Sequence, residues 1–215
     1  MLIRWPSLIA LVLCVGLTPL STQALSLAEI DSGTLSALTG SPVDSLSTTY
    51  DFLPEVSGGD GVVTSQVFHG AGAAAGDFVY VYSIELYATP PASVGAVWGM
   101  SWSFSEMPVD VAGIGESFFV GDDGGAVAPV VTFWSDGELE VIFIPAIGNG
   151  DVSHAFGFVS PNAPDVSIAS LIDSGAIGGT AAVLSNGAPV PEPSSALVFG
   201  IGLLIVAPAV SRWRR

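Results

Sequence analysis

Val130-Val131-Thr132-Phe133-Trp134-Ser135-Asp136-Gly137-Glu138-Leu139-Glu140-Val141-Ile142-Phe143-Ile144 reads as a β-hairpin folded about Asp136-Gly137. That dipeptide suits a type I′ turn, whose two central residues both need positive φ, a region Gly enters freely and Asp tolerates. Centring the turn there sets Trp134 opposite Leu139, Thr132 opposite Val141 and Val130 opposite Phe143. One face of both strands is then largely apolar, and a slip of one residue would turn that face to water, so the pattern itself sets the register.

Working outward, the run from Phe78 to Leu86 alternates with period two and puts Phe78, Tyr80, Tyr82, Ile84 and Leu86 on one face. The same reading places Trp98, Met100, Trp102 and Phe104 on one face, with Val97, Gly99, Ser101 and Ser103 opposite. Both are expected as half-buried strands. Further strands are expected near Val62 to Phe68, Ser117 to Val120, His154 to Val159 and Val166 to Leu171, separated by Gly, Pro, Asn and Asp. A short helix fits near Leu25 to Leu38, whereas Ser26 to Tyr50 as a whole, rich in Ser, Thr and Leu, carries no pattern that places it. Many short strands, Gly-rich turns and few helix formers predict an all-β fold: an antiparallel β-sandwich, jelly-roll-like, over residues 25–173. Residues 174–190, mostly Gly, Ala and Ser, read as a final strand passing into a flexible tether.

Composition narrows the chemistry. Of 215 residues half are hydrophobic and only 11% charged, more apolar than an ordinary soluble domain of this size. The four basic residues are Arg4, Arg212, Arg214 and Arg215, while 19 of the 20 acids lie between Leu25 and Val190. Lysine is absent, which removes Schiff-base chemistry and the phosphate-loop lysine, and a middle without cations is not expected to bind nucleic acid. Cys14 is the single cysteine, so neither an intramolecular disulfide nor a cysteine zinc site can form.

The ends carry signals of their own. Residues 1–24 read as a secretory signal peptide: Arg4 in the n-region, an apolar run from Leu8 to Leu17, and Thr22-Gln23-Ala24 as a small-x-small site for signal peptidase after Sec export. A second candidate cut follows Ser26-Leu27-Ala28. At the other end stand Pro189-Val190-Pro191-Glu192-Pro193-Ser194, an apolar stretch from Ala196 to Val210, and Ser211-Arg212-Trp213-Arg214-Arg215. Prolines remove backbone donors and keep the neck extended, a form a peptidase can draw into its cleft. The apolar stretch would rise ~23 Å as a helix against a ~30 Å hydrocarbon core, giving a shallow transmembrane helix over 196–210. Arg212, Arg214 and Arg215 form a cytoplasmic stop by the positive-inside rule, leaving the sandwich on the outer side.

Val190-Pro191-Glu192-Pro193-Ser194, the apolar stretch and the basic end together resemble the PEP-CTERM sorting signal of Gram-negative bacteria, over about the last 28 residues from Ala188. What the resemblance implies is a substrate of exosortase, a membrane transpeptidase-like protease: an inner-membrane-anchored intermediate, cut near Pro191-Glu192-Pro193, then left at the cell surface or in the extracellular matrix, commonly beside exopolysaccharide. The catalytic residues of that family's processing belong to the exosortase. Trp213 within the basic cluster and Pro208 just ahead of it depart from the usual pattern.

Within the middle the motifs for chemistry are thin. Gly99-Met100-Ser101-Trp102-Ser103 approaches a nucleophile elbow but lies in a strand pattern, and Gly70 to Gly76 has one residue too many for a dinucleotide fingerprint. His69 and His154 are the only imidazoles, and His154, alternating with Phe156 and Phe158, reads as a strand residue at the core's edge. Asp60, Asp122-Asp123-Gly124-Gly125 and Asn149-Gly150-Asp151 offer oxygen ligands, making Asp122, Asp123 and Asp151 weak calcium candidates; EF-hand and RTX spacings are missing. Glu138 and Glu140 give only a same-face strand pair for an exported hydrolase. The expectation is therefore a non-enzymatic exported protein that needs no cofactor. The alternative is a carbohydrate- or Ca2+-binding module using exposed aromatics such as Trp134 or Tyr87.

Overall fold

The computed structural model describes residues 23–25, 27–52, 59–90, 96–111, 114, 117–135, 137–173 and 176–186. Along the chain run β1 (Gln23–Leu25), β2 (Leu27–Asp31), a short helix α1 (Ser32–Leu38), β3 (Thr39–Tyr50), β4 (Gly61–Gly70), a 3-10 turn (Gly72–Ala74) and β5 (Phe78–Leu86). There follow β6 (Val97–Ser103), β7 (Phe118–Asp122), β8 (Pro129–Ser135), β9 (Glu138–Ile147), β10 (Phe156–Ser160), β11 (Asp165–Asp173) and β12 (Ala176–Ser185). They form two six-stranded sheets, ordered β1-β8-β9-β6-β11-β12 and β2-β7-β10-β5-β4-β3, packed as a sandwich. Among the named strands every pairing is antiparallel except β2 with β7, which run parallel, so the wholly antiparallel expectation is corrected at that edge.

The interior is aromatic. Tyr80, Tyr82, Trp102, Phe104, Phe118, Phe143, Phe156 and Phe158 are all fully buried between the sheets. Phe104 meets Phe158 edge-on at 4.3 Å between centroids, and Tyr80 stacks on Phe158 at 5.1 Å. Such pairs add ~0.5–1.5 kcal/mol beyond the area they bury. The tyrosine hydroxyls reach backbone acceptors: Tyr82 donates to Leu184 at 2.6 Å and Tyr80 to Asn162 at 2.8 Å. Each therefore brings a ring into the core without stranding a donor.

A second cluster lies on the outer face of the β5 sheet, where Ile30, Leu38, Val79, Val81, Phe119 and Val159 are buried together. For β5 the half-buried expectation is thus corrected: Val79 and Val81 on its far face are as hidden as Tyr80 and Tyr82. The helix that covers part of this face begins at Asp31, whose side chain accepts from Thr34 N–H at 2.7 Å as an N-cap. The Thr34 backbone and hydroxyl donors, with a smaller contribution from Gly33 N–H, hold the Asp31 carboxyl below its ordinary pKa.

The central hairpin forms as the pattern demands near its turn, with Trp134 opposite Leu139 and Thr132 opposite Val141, and Gly137 at φ +83°. Asp136 lies outside the described residues. Farther out the register shifts between Pro129 and Val131, so Phe143 faces Pro129 and Val130 turns to solvent, a correction to the expected Val130–Phe143 pair. In β6 a shift between Val97 and Gly99 does the same. Met100, Trp102 and Phe104 are buried as expected, but Val97 enters the core and Trp98 leaves it. A bulge inserts one residue and reverses the alternation beyond it.

The segment that sequence left unplaced, Ser26 to Tyr50, contributes β2, α1 and β3, with Ser26 itself outside the described residues. Its last element pairs with β4 from Thr39–Gly70 to Tyr50–Gly61. β12 is the expected final strand, zipped to β11 from Asp165–Ser185 to Asp173–Ala176. Beyond it buried Asn186 pins the chain: its Oδ1 accepts from Ser105 N–H at 3.0 Å and its Nδ2 donates to Ser160 Oγ at 2.8 Å.

Candidate functional site

The sorting residues Val190, Pro191, Glu192, Pro193 and Ser194, the arginines Arg212, Arg214 and Arg215, the apolar stretch 196–210, the tether after Asn186, and Thr22 all lie outside the described residues. Among the described residues no helix is long and apolar enough to cross a membrane. Ala24 of the peptidase site is in β1, exposed and opposite Phe133 at the edge of the first sheet.

The calcium candidates do not come together. Asp123 ties its loop to the segment just ahead of β10: both carboxylate oxygens accept from Ala155 N–H at 3.1 Å, and Oδ1 stands 3.4 Å from Gly125 N. Asp151 accepts from Gly148 N–H at 3.2 Å in a separate turn. Residues 151 and 155 are four apart in a segment bridged to neighbouring strands, ~13 Å at the rise of extended chain. Asp122 ends β7 and is exposed. Asp60 is buried, its Oδ2 accepting from Phe52 N–H at 2.8 Å, which fits a loop-closing role. Among the described residues no group of three or more His, Cys, Asp or Glu side chains is placed to hold a metal ion.

What the fold does assemble is a cleft of about 230 Å³ at the β2–β7 edge, lined by Glu29, Val120, Gly121, Asp122, Ala128 and His154. His154 lies just ahead of β10 and not in the strand that sequence gave it. Its Nδ1–H donates to Gly121 O at 3.0 Å, with Asp123 Oδ1 3.4 Å away, so in the neutral ring Nε2 is the acceptor. Glu29 reaches this cleft through the parallel β2–β7 pairing, a long-range contact with no signature in the local sequence. A second cavity of about 310 Å³ beneath α1 is walled by Ser32, Thr39, Gln66, Asp123 and Ala155 among others.

Chemically the cleft is an acidic, solvated recess. Glu29 and Asp122 are both exposed. The nearest hydroxyl in sequence, Ser153, is buried and its Oγ accepts from Ile84 N–H at 2.9 Å. Ser101 stands mid-strand in β6, and the G-x-S-like run around it packs as strand. Glu138 and Glu140 alternate with buried Leu139 and Val141 and lie on the outer face. His69 is exposed on β4 with its ring 5.5 Å from Phe78.

Of the aromatics proposed for sugar stacking, Trp134 packs against the core with its Nε1 buried, and Tyr87 is half-buried. Among the described residues the exposed indole is Trp98, at 42%. Compared with known proteins, the chain matches no family model, no curated protein and no solved structure.

Proposed function

We propose that this chain is an exported, non-enzymatic protein of the cell surface or extracellular matrix, a β-sandwich delivered by its two ends. The observation that carries the reading is the ordered tail: the proline-kinked neck Val190 to Ser194, the apolar Ala196 to Val210, and the closing arginines. The Sec translocon and signal peptidase handle the first 24 residues, and the tail holds a membrane-anchored intermediate until an exosortase cuts near Pro191-Glu192-Pro193.

The sandwich supports this in two ways. Its last described contacts are made by Asn186, ahead of Pro189, so the neck follows a latched strand. Its large aromatic interior is held without a disulfide, as a chain whose single Cys14 falls in the leader requires. The nesting of β8·β9 within β7·β10 within β6·β11, alternating between the sheets, supports the jelly-roll-like reading.

The test is genetic. In a host possessing an exosortase, replacing Pro191, Glu192 and Pro193 together by alanine is expected to trap full-length chain in the inner-membrane fraction, and deleting the exosortase to do the same to wild type. Normal delivery of the triple variant would refute the reading.

A further inference from the structure

We propose that the outer face of the β1-β8-β9-β6-β11-β12 sheet binds a polysaccharide strand bearing free amino groups, with the Trp98 indole as a stacking surface and Glu138 and Glu140 as the charge partners. This goes beyond the sorting reading and does not depend on the route of export.

The two outer faces of the sandwich are unlike. That of the β5 sheet is covered by α1 and the 3-10 turn over a buried apolar cluster. The other carries five of the eight exposed large hydrophobics among the described residues, with Trp98 at 42% and Ile144 at 59%. An indole costs free energy in water and is usually buried, so its outward turn at a bulge presents a flat apolar face at a defined place. The register shifts on both sides of β6, against β9 and against β11, are what direct it outward.

Three residues along β6 from Trp98, ~10 Å at the strand rise, the same face presents polar groups in a line that crosses the strands at Ser101. Glu140 pairs with Ser101, Ser101 with Ser170, and Ser170 with Thr180, crossing β9, β6, β11 and β12. Three strand spacings make this ~14 Å, long enough for several sugar rings. Hydroxyls and carboxylates at such intervals can exchange hydrogen bonds with ring hydroxyls while the indole stacks on a ring's C–H face.

Charge selects the occupant. Residues 25–190 hold 19 carboxylates and no Lys or Arg, so an anionic polysaccharide, an anionic lipid surface or a second copy of this chain is repelled. Glu138 stands one outward position from Glu140 on β9, and together they suit an ammonium group. A polymer of amino sugars supplies rings for Trp98 and cations for the two glutamates at once.

The experiment titrates the full chain calorimetrically with a glucosamine hexamer and, separately, with the N-acetylglucosamine hexamer. Binding of the first is expected, weaker by about tenfold or more for the uncharged second, which lacks the charge term. Trp98→Ala is expected to lose about tenfold in affinity with its melting temperature unchanged, since the exposed ring adds contact area to the ligand and little to the fold. Glu138→Gln with Glu140→Gln is expected to weaken the amino hexamer and leave the neutral one alone. No binding, equal binding of both hexamers, or binding indifferent to Trp98→Ala would overturn the proposal, the last because it marks general attraction to an acidic surface.

Discussion

Gly157 lies in β10 between β5 and β7, and a Cβ added there would collide with the Tyr80 carbonyl and press on Phe119. The obstacle is backbone in the middle of a sheet, which cannot move aside. Gly157→Ala is expected to destabilise by ~3 kcal/mol or more, the upper range of overpacking. That is a fall in melting temperature of ~6–12 °C for a chain of this size. A shift under ~2 °C would show that the two strands are looser than described. Tyrosine titration gives a second residue-scale prediction. Burial pushes Tyr50, Tyr80 and Tyr82 above their ordinary pKa, with the Asp60 and Glu85 charges adding to the rise at Tyr50. The folded chain then keeps protons that the unfolded chain releases from about pH 10, so the stability is whole below that pH and falls as pH rises above it. No lysine titrates in the same window. Thermal midpoints should hold from about pH 8 to 9.5 and drop beyond about 10. Tyr82→Phe should make that drop shallower, by up to ~1.4 kcal/mol per pH unit. An unchanged slope in Tyr82→Phe would contradict the burial of its hydroxyl.

At the scale of elements, strands with strict alternation were legible and their irregularities were not. β5, β6 and the β8–β9 hairpin follow from period two and from Asp136-Gly137, because a face of Tyr, Trp, Phe and Leu has one way to be buried. The bulges at Val130 and Trp98 left no local mark, since Val and Trp fit either face and the choice is made by the partner strand. β3 escaped notice because it is an edge strand whose side chains are mostly exposed, so its Ser and Thr show no buried stripe. Glu29 was hidden for a different reason: it joins the cleft only through the parallel pairing of β2 with β7. That pairing bears on maturation. A cut after Ala24 takes Gln23 and Ala24 from β1 and keeps all of β2, whereas a cut after Ala28 removes the whole of β1 and also Leu27 and Ala28, which pair with Phe118 and Phe119. Under the proposed export, N-terminal sequencing of the mature form is therefore expected to begin at Leu25. A start at Glu29 in a form that melts no lower would show that the β2–β7 edge contributes little.

The whole molecule is governed by its charge, −16 over the full chain with every basic residue near a terminus. Repulsion among unscreened carboxylates opposes compactness, so raising NaCl to about 0.5 M should raise the melting temperature by several degrees. Because Asp123 and Asp151 are engaged with separate backbone donors, and no group of three such side chains is placed for a metal among the described residues, calcium at matched ionic strength should add nothing further. A saturable extra rise that Asp123→Asn abolishes would mean the loops rearrange around an ion. In the proposed function the sandwich is a displayed domain whose handling is written in the segments at either end. Intact mass spectrometry of the mature protein from surface and medium fractions tests that account most directly. The account predicts a chain that begins near Leu25 and ends near Pro191-Glu192-Pro193, without Arg215. A mature, delivered protein still carrying Arg215 would contradict it.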